Sequence, residues 1–125
     1  MFPLRFPWVW WGLGWLMVAF VSAGSLLPGP WVPTFSLRDK VLHAGAYFLL
    51  MVWFSGLYRR NRHLWIALFL FALGFALDLL QGASVTRTFD LMDVAANAGG
   101  ILTGLIISRY LLEGWCHRVE KLILA

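Results

Sequence analysis

Nine polar residues stand apart in a chain that is otherwise mostly apolar: Asp39, Lys40, His43, Asp78, Gln81, Arg87, Asp90, Asp93 and Asn97. Carboxylates, an imidazole and a guanidinium within reach of one another could run acid–base chemistry. His43 would be the base or acid, oriented by Asp39 or Asp78, and Arg87 would hold developing negative charge. The same set suits plain recognition, with Arg87 and Lys40 pairing a phosphate while Asp78, Asn97 and Gln81 fix orientation by hydrogen bonds. His43, Asp78 and Arg87 are therefore the catalytic candidates, and all nine are binding candidates.

Spacing groups these residues on helical faces. Asp39 and His43 are four apart, Asp78 and Gln81 three apart, and Asp93 and Asn97 four apart, so each pair shares one side of a helix. At the ends of three membrane helices, His43, Asp78 and Asn97 would each lie about one turn, ~5 Å, below the same boundary. A carboxylate or imidazole at that depth costs roughly 1 to 3 kcal/mol if it faces lipid. All three should turn inward, forming a shallow polar pocket open to water.

Single members also have plainer roles. Asp39 and Asp93 suit helix starts, where a carboxylate caps free amides, and a lone histidine such as His43 is commonly a packing residue. Asn97 belongs to a small-residue stretch that ends in Gly100-x-x-x-Gly104, which suits a close helix contact with the amide bonding across the gap. That contact would carry Asn97 toward Asp78, whose charge needs a tertiary partner. Arg87 and His43 are the natural cations for it.

The elements that must position these groups follow from composition. With 61% hydrophobic and 13% charged residues among 125, including eight Trp and ten Phe, the chain lacks the polar surface of a water-soluble domain. It reads as one integral membrane domain spanning residues 1–125. Four apolar runs, 8–27, 41–58, 64–80 and 94–112, each reach the length of about 17 residues that a short helical span requires. The expected fold is an all-α membrane protein, a bundle of four transmembrane helices with the polar pocket on its outer side.

Pro28, Gly29, Pro30 and Pro33 break the first connection, and the short stretch 59–63 forces the second and third helices into an antiparallel hairpin. The small residues Val21, Ser22, Ala23 and Gly24 imitate a signal cleavage site. The apolar run before them is long for a signal peptide, so a retained first helix is expected. Cys116, the single cysteine, excludes an internal disulfide and reads as an inert thiol rather than a lipidation site.

Basic residues set the orientation. Arg5, Arg59, Arg60, Arg62, Arg109, Arg118 and Lys121 fall on the side of the termini, against Arg38, Lys40 and Arg87 on the other. The asymmetry puts both termini in the cytoplasm. Trp8, Trp10, Trp11, Tyr58, Trp65, Tyr110 and Trp115 mark the inner boundary as an interfacial belt. The net charge of +4 is thus topogenic, and nucleic acid is not an expected partner.

The segments Asp39-Lys40-Val41-Leu42-His43-x-x-x-Tyr47, Asp78-Leu79-Leu80-Gln81 and Arg87-x-x-Asp90-x-x-Asp93-x-x-x-Asn97-x-x-Gly100-x-x-x-Gly104 together resemble the VanZ-like family of small bacterial membrane proteins. The similarity spans about residues 39–112. One departure is Asp78, where the family pattern usually has Glu. The resemblance implies a multi-pass protein of the bacterial cytoplasmic membrane, in a family whose namesake is associated with resistance to a glycopeptide antibiotic; it supplies no reaction.

The functional expectation is binding at the extracytoplasmic face of a lipid head group, a lipid-linked envelope precursor or an envelope protein partner. The alternative is a membrane enzyme acting on such a lipid through the His/Asp/Arg set. No flanked serine nucleophile, His-x-x-x-His or Walker loop assigns a reaction class. No cofactor is expected. Asp78, Asp90, Asp93 and His43 are the residues a divalent cation would use, but Lys40 and Arg87 already supply positive charge, so no metal is expected either.

Overall fold

The computed structural model describes residues 4–26, 37–82, 91–112 and 114–124. All regular structure among them is helical. In order come α1 (Pro7–Leu26), α2 (Leu37–Leu57), a single 3-10 turn at Arg60–Arg62, α3 (His63–Gly82), α4 (Leu91–Tyr110) and α5 (Trp115–Leu124). The four apolar runs coincide with α1 to α4, each close to 30 Å long at ~1.5 Å per residue. Pro7 opens α1 at the one helical position where a missing N–H costs nothing. Helix α2 starts earlier than its apolar run, drawing Asp39 and Lys40 into its first turn.

Two stretches, Arg60–Leu80 and Leu91–Tyr110, are long and apolar enough to cross a membrane. Only 28% and 33% of their apolar windows are buried, whereas a helix this apolar in a water-soluble protein belongs to its core. Their outward faces carry Leu68, Phe71, Phe75, Leu79, Leu102 and Ile106, while Asp78, Asp93, Asn97 and Ser108 are buried. Polar groups inside and apolar groups outside is the distribution that lipid selects. The apolar part of α2 described with its side chains, Val41–Leu57, is shorter.

Helix α2 is the hub, touching α1, α3, α4 and α5 and packing most extensively on α4. Tyr47, Leu50, Met51, Phe54 and Leu57 form its buried stripe at the three- and four-residue spacing of a helix face. Its contact with α4 is a contact of backbones. A Cβ on Gly100 would strike the carbonyl of Ala44, and one on Gly104 would sit 2.9 Å from Met51 Cβ and 3.1 Å from the Phe48 carbonyl oxygen. The register, residue 44 beside 100 and 48 beside 104, makes α2 and α4 parallel. The hairpin of α2 and α3 is tied by His63, whose Nε2–H donates to the carbonyls of Ser55 at 3.0 Å and Tyr58 at 3.1 Å, satisfying groups that the end of α2 leaves open.

Helix α5 was not among the expected elements. The chain turns at Gly114, φ 68°, a left-handed conformation that glycine enters without penalty. Then Cys116 and Glu120 point inward while Arg118, Lys121, Leu122 and Ile123 stay exposed. Helix α1 has no acidic residue in its first turn, and Glu120 takes that role from the far end of the chain. It accepts Arg5 N–H at 2.5 Å, Phe6 N–H at 3.0 Å and the Trp10 indole N–H at 2.8 Å.

Burial raises the Glu120 carboxyl, but these donors and the nearby His117 charge outweigh it, holding the group below the usual carboxylate range. Trp10, Trp53 and Trp115 pack around the same junction with centroids 5.4 to 5.7 Å apart, Trp53 donating to Trp10 O and Trp115 to Val52 O. Cys116 is fully buried, and burial, aided by Glu120, pushes its thiol up to about 12, so it is protonated and inert as expected.

Gly100→Ala forces α2 and α4 apart and should lower stability in a denaturant titration by roughly 1 to 3 kcal/mol. Gly99→Ala, with open space around its Cβ, should be neutral or stabilise by up to about 1 kcal/mol. Because the native Glu120 pKa is depressed, its contribution is complete above the unfolded value and disappears as pH falls through the lower native one. The wild-type melting temperature should therefore drop below about pH 4.5 toward that of Glu120→Gln, whose own profile should be flatter there.

Candidate functional site

Three helices meet around Gly74. On α3, Asp78 lies one turn beyond Gly74 on the same face; on α4, Asn97 lies one turn beyond Asp93. A Cβ on Gly74 would come within 3.1 Å of the Asn97 amide nitrogen, 3.1 Å of Tyr47 Cζ and 3.2 Å of the Tyr47 hydroxyl. The absent side chain is thus what admits both neighbours. Asn97 Nδ2 donates to Asp78 Oδ2 at 3.2 Å, and the two residues are each 2% exposed. A carboxylate only accepts, so the amide must present its NH2 to Asp78 and turn its oxygen the other way.

That oxygen is one of five buried side-chain polar atoms among the described residues that lack a hydrogen-bond partner, and it alone belongs to this cluster. Asn97 Oδ1 is buried and has no hydrogen-bond donor among the described residues. A buried acceptor left unmet costs about 1 to 3 kcal/mol. Beside the Asp78 carboxylate, this oxygen could accept from an incoming donor such as an ammonium or hydroxyl. Gly100, one turn below Asn97, sets the position: the α2–α4 contact at Ala44 fixes how far α4 can retreat from α3.

The sequence candidates divide by where they fall. Asp78 and Asn97 are brought into direct contact. Asp93, buried in the first turn of α4, lies on the same face as Asn97 and complements the positive end of its helix. His43 is half-buried on α2, one turn toward the helix start from Tyr47, and its ring finds no hydrogen-bond partner among the described residues. Among the described residues a hydrogen bond joins Asp78 to Asn97, and none joins it to His43. Asp39 and Lys40 sit in the first turn of α2 and Gln81 in the last turn of α3, but their side chains lie outside the described residues, as do Arg87 and Asp90 altogether. Among the described residues no three His, Cys, Asp or Glu side chains come together as a metal-binding group.

Tyr47 and Gly74 were not singled out as site residues. Their signal was present in the spacing: Tyr47 is four residues after His43, and Gly74 four before Asp78. Comparison of the chain with protein-family models, with curated proteins and with solved structures finds no match.

The Asp78–Asn97 bond can be measured. In a double-mutant cycle with Asp78→Leu and Asn97→Leu, followed by denaturant titration of the reconstituted protein, the coupling should be about 0.5 to 1.7 kcal/mol, the range for polar pairs between membrane helices. Strict additivity would mean the two side chains do not act together.

Proposed function

We propose that this chain is a VanZ-like, multi-pass protein of the bacterial cytoplasmic membrane with four spans and both termini in the cytoplasm. Its outward-facing polar pocket binds a lipid head group, a lipid-linked envelope precursor or an envelope protein partner. The observation that carries the reading is the buried, unmet Asn97 oxygen beside the Asp78 carboxylate, at the end of α3 remote from Arg59, Arg60 and Arg62. Acceptors of this kind recognise the hydroxyl or amine of a head group, and Lys40 and Arg87 are the sequence's cations for its phosphate. The residues carrying the VanZ-like resemblance include Asn97, Gly100 and Gly104, which lie at the pocket and at the helix contact beneath it.

Binding is preferred to catalysis because no described group holds His43 against a nucleophile or orients its ring. The four-span reading rests on the length of α1 and α2 together with the apolar residues they leave exposed, among them Trp8, Leu16, Phe20, Leu42 and Leu49.

The test is gentle extraction of wild type and Asp78→Asn, followed by mass spectrometry of the lipids that remain bound. Wild type should retain an envelope lipid that Asp78→Asn loses, at unchanged membrane level and melting temperature. Loss of stability and lipid together would make Asp78 a scaffold residue. Cysteine placed at Asn61 should react with a membrane-impermeant reagent only after the cytoplasmic side is opened, and one at Leu91 from outside; the reverse pattern inverts the topology.

A further inference from the structure

The opposite end of the bundle holds a groove that the outer pocket does not use. It lies between α1 and α3, has a volume of about 360 Å³, and is walled by Trp11, Trp15, Phe54, Trp65 and Phe69, with Arg62 at its mouth. Trp15 lines it with its ring edge-on to Phe54 at 5.6 Å and to Phe69 at 5.7 Å. The volume falls in the range of ligand sites, roughly 300 to 1,000 Å³. From Arg62 to Phe69 the groove follows about two turns of α3, or ~11 Å, beginning at the charged 3-10 turn and ending among apolar side chains.

That gradient matches the boundary between phospholipid head groups and acyl chains. Arg62 is exposed, and its guanidinium has no acceptor among the described residues, whereas neighbouring Arg60 is held over the Tyr110 ring at 5.6 Å. The lining has no carboxylate, so an anion meets no opposing charge there. We propose that the groove is a binding site for an anionic phospholipid of the leaflet on the Arg62 side, with one acyl chain against Trp11, Trp15 and Phe69 and the phosphate on Arg62. The inference shares with the proposed function only the reading of α3 as a membrane span; it involves neither Asp78 nor the outer pocket.

The test is native mass spectrometry of the full chain in detergent, titrated with phosphatidylglycerol or with phosphatidylcholine of the same acyl chains. Wild type should hold one phosphatidylglycerol in clear preference. Arg62→Gln should weaken that binding about fivefold, as expected for one cation at a membrane surface, and leave phosphatidylcholine unchanged. Trp65→Ala should weaken both lipids, and Lys121→Gln, on an exposed α5 position outside the groove, should weaken neither. Melting temperatures separate loss of binding from loss of fold. Unchanged phosphatidylglycerol binding in Arg62→Gln, an equal effect of Lys121→Gln, or a dimer that Trp65→Ala dissociates, which would make the groove a contact between copies, overturns the proposal.

Discussion

The contact of Gly100 with the backbone of Ala44 is the constraint on which the described structure turns. In a lipid environment apolar side chains gain little by meeting one another, so helices associate where their surfaces interlock and backbones can come close. Gly100 and Gly104 give α4 a flat strip, and α2 lies along it in parallel, Ala44, Phe48 and Met51 against the strip. Helix α3 returns between them in sequence and must pack on the pair from the side. A larger residue at position 100 would displace the one surface against which both α3 and the polar cluster are registered.

From that register the polar cluster follows. Asn97 is one turn from Gly100 and so is held at a fixed depth, and Gly74 leaves the space into which the Asn97 amide and the Tyr47 ring reach. The carboxylate of Asp78 then meets the amide instead of lipid. The arrangement satisfies one side of Asn97 and leaves the other as a buried acceptor, a half-met state that is costly in a core.

The two ends of the bundle are built on different physics. At the end bearing the termini, Glu120 caps α1 across more than a hundred residues of sequence, three tryptophans lock α1, α2 and α5, and every indole N–H in that cluster has an acceptor. Arg62 stands at a groove rather than in this junction. At the other end the buried polar residues described are Asp78, Asp93 and Asn97, and an amide-to-carboxylate bond joins two of them.

Sequence alone determined the helical class and four of the five helices, because long apolar runs broken by Pro28, Pro30, Pro33 and the arginine-rich turn allow few alternatives. It also determined that Gly100 and Gly104 mark a close contact and that this contact draws Asn97 toward Asp78, since small residues four apart make a flat helical strip. Helix α5 escaped it: ten residues with Arg118, Glu120 and Lys121 continue no apolar run, and what makes them a docked helix is the turn at Gly114 and a carboxylate whose partners, Arg5, Phe6 and Trp10, lie more than a hundred residues away. Tyr47 and Gly74 were legible only as spacings. That they border the Asp78–Asn97 pair depends on how three helices rotate about their axes, and periodicity within one helix says nothing about rotation relative to another. That Asp78 is hydrogen-bonded to Asn97 and not to His43 was likewise a tertiary decision, made by the parallel register of α2 and α4, which sets Asn97 against α3.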